Sequence, residues 1–397
     1  MPEPPLPQPT LSASPVQPLS HAEIVRVSDA HDQALANFFR EVWNPQATPQ
    51  SVRAGRAGAA ASNPVAPGQE PPAFIFLCDG RVLGYVSSIP VRLWSDVQDR
   101  SAHWVKGLMV LPEFRNGPIG FLLLKEVVSS LEIALALTVV PASLRLFHAM
   151  GFTDAGRLFN AVRILRPARV LRRLDLEQLG LSGWPRRLAS TFRFVQRLGL
   201  ASLLGHLVSG MTGVWCSLRG RSSLAARLAE KDLDQAELDG LWQLVRSQLG
   251  ASPVRDGRSL MARYPTRDGL YRFIVVPEGA ALAGVGVVRR PRPQSDARLR
   301  DLHVATVSEI LFPVDRPEVG LALLAGAEAQ AREWNADVVL CSGSHPALLA
   351  VLQRHAYLRV PGNLHFLALD RTAKSSLPAE LSAWWLTRGD SNSDEVF

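Results

Sequence analysis

The sequence His103-Trp-Val-Lys-Gly-Leu-Met-Val-Leu-Pro112, followed by Glu113-Phe-Arg-Asn-Gly-Pro-Ile-Gly120, decides the fold of this chain. Hydrophobic periodicity divides this region into a strand, a turn, a helix, a second strand and a second helix: 103–112, 113–120, 121–131, 134–140 and 141–152. A strand–helix–strand order predicts a parallel pair of strands with a right-handed crossover. The turn would present free N–H groups of a helix N-terminus, which favour an anionic ligand.

Two motifs in this region resemble those of the GCN5-related N-acetyltransferases, the GNAT superfamily. Leu108-Met-Val-Leu-Pro112 with Arg115-Asn-Gly-Pro-Ile-Gly120 resembles the family's strand and its Arg/Gln-x-x-Gly-x-Gly/Ala turn, which bind the CoA pyrophosphate. The segment from Val140 to Phe152 is similar to a later family motif that ends in Leu-Tyr-x-x-x-Gly-Phe. The resemblance implies acetyl-CoA or another acyl-CoA as co-substrate and an amine as acceptor.

The resemblance assigns the cofactor to the first strand and to the turn that follows it. Parallel strands that diverge leave backbone N–H and C=O groups free, and pantetheine would bind to those of Leu108, Met109 and Val110. The turn residues that would hold the pyrophosphate are Arg115, Asn116, Gly117, Ile119 and Gly120. An ordinary surface arginine is the alternative interpretation of Arg115.

The sequence departs from the family pattern at three positions. Pro118 stands where the family has a central glycine, and a proline removes one phosphate-facing N–H although it suits the first turn of a helix. Phe147 stands where many members have the tyrosine that protonates the departing thiolate, and Val140 replaces the usual asparagine. The resemblance therefore implies cofactor binding without the family's standard acid.

Direct acyl transfer needs a positioned thioester, a deprotonated amine and a hydrogen-bond donor near the thioester carbonyl. Family members often place an acidic residue on the cofactor strand, but Lys106 and Gly107 occupy that neighbourhood here. His103 is the nearest side chain that could act as the base, and a structural or exposed strand histidine is the alternative interpretation. His148, beside Phe147, is the candidate for proton delivery to the thiol.

Composition places the chain among globular proteins with a buried core, because 47% of the residues are apolar and 20% are charged. Its 397 residues predict two or three domains. Three separated cysteines, Cys78, Cys216 and Cys341, favour a reducing compartment and argue against a disulfide framework and a zinc site. Residues 1–20 contain seven prolines and predict a disordered tail without a targeting signal. We therefore expect a cytoplasmic protein without a metal.

The second half of the chain repeats the element order of the first. A hairpin pattern around Glu278-Gly279 and a strand that ends in Phe312-Pro313 match the patterns at Asp79-Gly80 and Leu111-Pro112. The turn Val314-Asp-Arg-Pro-Glu-Val-Gly320 has one glycine and two acids where phosphate would bind, so this module should bind CoA poorly. The run Cys341-Ser-Gly-Ser-His345 suggests a nucleophile pair, but a strand-end cysteine and a helix-capping serine explain it better.

The predicted fold class is α/β with mixed sheets, arranged as two tandem GNAT-like acyl-CoA N-acyltransferase modules joined by a helical bridge. The predicted segments are a Pro-rich tail, an N-terminal acyl-CoA-binding domain, a basic bridge, a degenerate C-terminal domain, and a helix with a polar tail: 1–20, 21–165, 166–232, 233–370 and 371–397. Residues 153–165 should supply the last strands of the first domain, and 364–369 the last strand of the second.

Basic charge is concentrated in residues 166–227, where eleven arginines against two acids give +9. Such a segment suggests an anionic partner, which could be CoA phosphates, lipid headgroups or nucleic acid. Residues 198–218 are long enough to cross a bilayer, but glycines and polar side chains dilute their hydrophobicity. A spanning helix, an interfacial segment and a helix packed between domains remain open, and the packed helix is the simplest interpretation.

The sequence leads to three functional hypotheses. The first is a cytoplasmic N-acetyltransferase, or other acyl-CoA-dependent acyltransferase, that acts on an amine of a small molecule or amino sugar. The second is a non-catalytic acyl-CoA-binding or regulatory protein, in line with Phe147 and Pro118. The third is a protein that docks on the inner face of an anionic membrane, and it rests on residues 166–227 alone; no specific nucleic acid is expected.

Overall fold

A computed structural model describes residues 21–173, 210, 222–229, 233–292, 302–360, 362, 364–372 and 377–396. They form two mixed β-sheets with helices packed against them. The predicted Pro-rich tail and most of the predicted basic bridge lie outside the described residues. Among the residues that are described, no helix is long and apolar enough to cross a membrane.

The first half of the chain contains seven strands and five helices among its described residues. The strands are β1 Ala22–Arg26, β2 Ala73–Cys78, β3 Arg81–Ser95, β4 Gln98–Val110, β5 Ile133–Ala136, β6 Thr153–Arg157 and β7 Phe159–Ile164. The helices are α1 Asp32–Val42, α2 Pro49–Ala61, α3 Ile119–Ser129, α4 Pro141–Ala149 and α5 Pro167–Arg173. The predicted strand, turn, helix, strand and helix between His103 and Phe152 are therefore present in that order.

The second half repeats this order. Its described strands are β8 Arg227–Leu228, β9 Ala251–Pro253, β10 Tyr271–Glu278, β11 Ala281–Arg292, β12 Val304–Leu311, β13 Val338–Gly343, β14 Leu358–Val360 and β15 His365–Asp370. Its described helices are α6 Gln235–Arg246, α7 Gly257–Arg263, α8 Pro317–Glu333 and α9 Pro346–Arg354, and two short 3-10 segments follow, Leu381–Ala383 and Asp390–Val396. The α/β fold class with mixed sheets is confirmed.

The two halves contribute strands to each other's sheets: β9 and β15 belong to the first sheet, and β7 belongs to the second. The first sheet has the order β1-β2-β3-β4-β5-β15-β6, with β9 paired to β3, so β15 from the second half lies between β5 and β6. The second sheet has the order β14-β7-β13-β12-β11-β10-β8, so β7 from the first half lies between β13 and β14. The expectation that residues 153–165 and 364–369 complete their own modules is therefore wrong for β7 and β15.

The exchange has a local physical cause. Leu158 alone separates β6 from β7, which is too short for a hairpin turn, and its N–H donates to Leu364 O at 2.9 Å. The chain therefore crosses from one sheet to the other at this point, and the segment before β15 crosses in the opposite direction. Among the described strands, β6 pairs only with β15 and β14 pairs only with β7, so neither half completes its sheet with its own strands alone.

The C-terminal segment packs between the two sheets. Trp384 contacts Phe366 of the first sheet with ring centroids 4.8 Å apart, and Trp385 contacts Phe312 of the second half at 5.3 Å. Both tryptophans are completely buried. The predicted docking of this segment is therefore correct, but the predicted helix is wrong, because the described residues from 377 onward contain 3-10 segments and extended backbone.

The prediction of a polar tail is also wrong, because the carboxylates of Asp390 and Asp394 are buried. Asp390 accepts hydrogen bonds from Arg255 Nη2 at 2.8 Å, from Arg263 Nη1 at 3.0 Å and from Thr387 N at 2.8 Å. Arg255 also lies 3.0 Å from Glu309 of β12. A buried carboxylate is stable only when it is paired in this way, so these ion pairs fix the segment in the interior.

The strand exchange predicts that one residue of β15 stabilises the first sheet. Phe366 is completely buried against Trp104 and Trp384. We expect Phe366→Ala to lower the free energy of unfolding by about 3–5 kcal/mol, measured by urea denaturation. Leu358→Ala on the exposed part of β14 is the matched control and should change it by less than about 0.5 kcal/mol. Equal effects of both variants would contradict the burial of β15.

Candidate functional site

A cleft opens between β4 and β5 because these two strands pair over only two residues. His103 pairs with Ala134 and Trp104 pairs with Leu135, and no described strand pairs with β4 on this side beyond them. On its other side β4 pairs with β3, with a register shift between Tyr85 and Ser87. Leu108, Met109 and Val110 are partly exposed along the cleft, as the predicted binding of an extended amide chain requires.

The register shift is a β-bulge, since β4 contains one residue more than β3 at this point. Gly107 lies in the bulge with φ of +69°, a backbone conformation that side chains other than hydrogen disfavour. The bulge tilts the following residues of β4 and so directs their backbone groups towards the cleft. The bulge and the early end of parallel pairing together leave the edge of β4 from Leu108 to Val110 without a described strand neighbour on that side.

The predicted phosphate turn leads into the N-terminus of α3. Arg115, Asn116 and Gly117 are exposed, and Arg115 Nε donates to Val110 O at 3.2 Å. Pro118 is the N-cap residue of α3 and makes no side-chain cap. The first N–H groups of the helix come from Ile119 and the residues after it, so Pro118 removes none of them. This position explains how a proline is compatible with anion binding.

The space around the first turn of the helix differs between α3 in the first half and α8 in the second half. A Cβ atom on Gly120 would lie 3.7 Å from Leu146 Cδ1 and 3.7 Å from Val110 Cγ2, which is ordinary contact. A Cβ atom on Gly320, at the start of α8, would lie 2.9 Å from Phe312 Cζ. The ring of Phe312 therefore covers the helix start in the second half, whereas the helix start of α3 is accessible.

The C-terminal segment fills the equivalent cleft of the second sheet. The parallel pairing of β12 with β13 ends at Val307 and Cys341. Beyond it, Gly389 N donates to Ser308 O at 2.7 Å and Trp385 Nε1 donates to Ile310 O at 3.0 Å. On the other side, Ser344 N donates to Leu386 O at 3.2 Å. An extended segment thus bridges the two diverging strands.

His103 lies at the apex of the cleft, in the last paired residues of β4 and β5. Its partner on β3 is Pro90, whereas the neighbouring pair Trp104 and Ile89 packs on the opposite face of the sheet. Partial burial lowers the pKa of His103 to about 4. The imidazole is therefore neutral at physiological pH and free to accept a proton.

The structure brings His148 to an acid and not to His103. His148 Nε2 lies 3.4 Å from Asp154 Oδ2, and the other oxygen of Asp154 lies 2.7 Å from His365 Nε2. Asp154 belongs to β6, which is three strands away from β4 in the order β4-β5-β15-β6. Phe147 is buried and packs edge-on against Phe152 with ring centroids 5.0 Å apart. A role of His148 in proton delivery stays a prediction.

The Cys341 to His345 run has the structural role that its sequence suggested. Burial raises the pKa of the Cys341 thiol to about 12, so this sulfur is not a thiolate at neutral pH. His345 is the N-cap residue of α9 and its Nδ1 accepts a hydrogen bond from Ala347 N at 3.2 Å. The cap is thus a histidine and not the serine that was expected. Within the described ranges, no group of side chains could hold a metal ion.

Sequence reasoning missed two polar residues of β3 beside the bulge. Tyr85 Cε1 and Ser87 Oγ each lie 3.4 Å from the position of a Cβ atom on Gly107. Ser87 Oγ donates to Lys106 O at 3.1 Å. Both residues are partly exposed, and the residues between and around them, Gly84, Val86 and Ser88, are buried. The sequence pattern that could have identified Tyr85 and Ser87 is this alternation of partly exposed polar residues with buried residues.

The pKa of His103 predicts a pH dependence of stability. The unfolded chain binds a proton at this histidine near its ordinary pKa of 6.5, whereas the folded chain does so near about 4, so stability falls as pH falls between these values. We expect the free energy of unfolding to fall by about 2 kcal/mol more in the parent than in His103→Gln between about pH 7 and pH 5. Urea denaturation at both pH values measures this difference, and identical slopes would exclude a burial effect on His103.

Solved structures with this fold have low sequence identity to the chain. A GCN5-related N-acetyltransferase from Kribbella flavida matches with a TM-score of 0.55 and 13% identity, over 91% of this chain and 74% of that chain. One from Anabaena variabilis ATCC 29413 matches with a TM-score of 0.55 and 12% identity, over 91% and 75%. Saccharomyces cerevisiae N-myristoyltransferase with bound myristoyl-CoA matches with a TM-score of 0.54 and 14% identity, over 93% and 87%.

No protein-family model matches the chain, and no curated protein matches it. The structural matches nevertheless extend over both halves of the chain and over most of each solved protein. The resemblance inferred from the motifs is thereby confirmed at the level of the fold, and the chain has the fold of the GCN5-related N-acetyltransferases.

Proposed function

We propose that the chain is an N-acyltransferase that binds acyl-CoA in the cleft between β4 and β5 and transfers the acyl group to an amine. The observation that carries this proposal is the accessible edge of β4, from Leu108 to Val110, which leads directly to the uncapped start of α3. Pantetheine is an extended chain with two amides, and pyrophosphate is an anion. The two parts of the site match the two parts of this ligand in their chemistry and in their order.

The second half of the chain supports the first step of this proposal. There an extended peptide segment occupies the space between β12 and β13 and bonds to the backbone at Ser308. Since pantetheine has amide groups like those of a peptide, the cleft of the first half is suited to the same kind of occupant. The second cleft has its occupant within the chain, so we propose that one acyl-CoA binds per chain.

The phosphate part of the site would use backbone N–H groups and one arginine. Ile119 and Gly120 contribute N–H groups at the start of α3, and the absence of a side chain on Gly120 permits close approach of the pyrophosphate. Arg115 is exposed beside them, and Asn116 and Gly117 complete the turn. In the second half, Arg316 is already held by Glu278 at 2.6 Å and by Glu318 at 3.2 Å, so no equivalent cation is free there.

The proposed reaction is direct transfer. The lone pair of the acceptor nitrogen attacks the thioester carbon, the C–S bond breaks with its electron pair on sulfur, and the nitrogen loses one proton. We assign this proton to His103 at the apex of the cleft, directly or through a water, because its imidazole is neutral. The products are an amide and free CoA thiol.

A non-catalytic acyl-CoA-binding protein is the second candidate. It is favoured by Phe147, whose ring packs against Phe152 and offers no hydroxyl to the leaving thiolate. The acceptor in the first candidate is a small-molecule amine or an amino sugar. Association of residues 166–227 with an anionic membrane surface stays a separate proposal, since most of that segment lies outside the described residues.

The proposal predicts that an acid at position 120 prevents cofactor binding without loss of the fold. Gly120→Glu places a negative charge at the helix start, and its Cβ atom has room there. The affinity for acetyl-CoA should fall more than about tenfold, or about 1.4 kcal/mol, in isothermal titration calorimetry. Gly240→Glu on the exposed side of α6 is the control and should bind as the parent does. Unchanged affinity of Gly120→Glu would place the cofactor elsewhere.

Turnover distinguishes the enzyme from the binding protein. Acetyl-CoA and longer acyl-CoAs are incubated with a broad panel of amines, and release of free thiol is measured. We expect His103→Ala to reduce kcat by about a hundredfold or more while the Kd for acyl-CoA stays within about twofold. His303→Ala, at an exposed histidine of the second half, is the control. Binding without thiol release by the parent across the panel would favour the second candidate.

A further inference from the structure

The proposed reaction lacks a proton for the departing sulfur, because Phe147 has no hydroxyl. This inference rests on the proposed function and concerns the same site. We propose that Tyr85 of β3 donates that proton and so replaces the acid that is absent at position 147. Three features support Tyr85: its position beside the bulge, the face of the sheet on which it lies and the groups around its hydroxyl.

The ring of Tyr85 lies against the bulge of the cofactor strand. A Cβ atom on Gly107 would lie 3.4 Å from Tyr85 Cε1 and 3.8 Å from Tyr85 Cδ1. Gly107 has a positive φ, so glycine is favoured here both by the backbone and by the ring beside it. With no side chain between them, the ring lies beside the bulge backbone. The bulge adjoins the edge where the thioester end of the cofactor would bind.

Tyr85 lies on the face of the sheet opposite to the phosphate-binding helix. Gly84 faces α3, since its Cβ atom would lie 2.7 Å from Leu123 Cδ1, and side chains alternate along a strand. Tyr85 therefore points away from α3 and contacts Phe39 of α1 instead. A cofactor that has its phosphates at α3 and its pantetheine between β4 and β5 passes through the sheet. Its reactive end then lies between the strands, with Tyr85 on one face and His103, whose β3 partner Pro90 shares the face of Gly84, on the other.

The groups around Tyr85 suit a proton donor. Burial raises the pKa of Tyr85, so the hydroxyl is protonated at neutral pH. The Ser87 hydroxyl and the positive charge of Arg56 on α2 act in the opposite direction, because both stabilise the phenolate. Arg56 also pairs with Asp29, Asp32 and Glu70, while its buried Nη1 has no hydrogen-bond partner among the described residues. The conjugate base that forms after proton transfer therefore has stabilising neighbours.

A row of aromatic rings leads from Tyr85 to the surface. The ring of Phe39 meets Tyr85 edge-on, with centroids 5.1 Å apart, and Trp43 meets Phe39 edge-on at 5.9 Å. Trp43 is 70% exposed although it is a large apolar side chain. Aromatic faces attract ammonium groups and apolar groups alike. The row thus marks the side from which an amine with an apolar body would approach Tyr85.

The complete reaction balances with two protein groups. The acceptor nitrogen forms the C–N bond and its proton passes to His103, while the C–S bond breaks and the electron pair stays on sulfur. The Tyr85 O–H gives its proton to that sulfur, which leaves as CoA thiol. Solvent then removes the proton from His103 and restores the one on Tyr85. Neither an oxidant nor a metal is consumed in these steps.

Deletion of the hydroxyl tests the assignment. Tyr85→Phe should reduce kcat by about a hundredfold or more in the assay of thiol release from acetyl-CoA, with the Kd for acetyl-CoA within about twofold of the parent. Tyr357→Phe is the matched control, because the buried Tyr357 hydroxyl has no hydrogen-bond partner among the described residues. Parent-like kcat in Tyr85→Phe overturns the proposal, and so does a loss of kcat that is accompanied by an equal loss of acetyl-CoA affinity.

A fluorinated tyrosine at position 85 separates proton donation from packing. It keeps the ring and the hydroxyl but lowers the hydroxyl pKa, so the alkaline fall of kcat should move to lower pH than in the parent. An unchanged alkaline limb overturns the proposal even if Tyr85→Phe is inactive. Thiol release by the parent that survives Tyr85→Phe overturns this inference alone. Absence of thiol release by the parent, despite binding of acetyl-CoA, overturns the proposed function and this inference together.

Discussion

The unpaired edge of a diverging strand is the constraint on which both halves of this structure depend. Backbone N–H and C=O groups in a protein interior need partners, so a strand that loses its neighbour must acquire a substitute. At β12 the substitute is the C-terminal segment around Gly389, which is held by hydrogen bonds on both sides of the cleft. At β4 no described strand takes this place beyond Trp104, and Arg115 Nε donates to Val110 O. One architecture therefore produces a permanently filled cleft and one that suits an exchangeable ligand.

Exchange of β7 and β15 makes the two halves interdependent. Each sheet includes a strand from the other half, and the C-terminal segment adds Trp384 to one core and Trp385 to the other. The buried pairs of Asp390 with Arg255 and Arg263 fix that segment further. The half that we propose to bind no cofactor thus completes the sheet that forms the proposed site. This dependence gives a physical reason for a second module whose own phosphate turn is degenerate.

The candidate site separates its chemistry between the two faces of one sheet. The phosphate turn and α3 lie on one face, and Tyr85 lies on the other beside the bulge at Gly107. His103 stands at the apex, where the strands begin to diverge. A thioester that passes between the strands would meet groups from both faces. A replacement of the usual tyrosine by Phe147 is therefore compatible with catalysis, because the hydroxyl can come from a different strand.

The sequence by itself determined the local elements and the phosphate turn, because hydrophobic periodicity, Gly117, Gly120 and the Leu-Pro strand end act through neighbouring residues. It also placed two acids, Asp315 and Glu318, in the corresponding turn of the second half. Only the tertiary structure decided which sheet receives β7 and β15, since strand pairing joins residues about two hundred positions apart. It likewise placed Tyr85 against the bulge and the acidic C-terminal segment in the interior. Long-range hydrogen bonds and ion pairs decide such positions, and no local pattern encodes them.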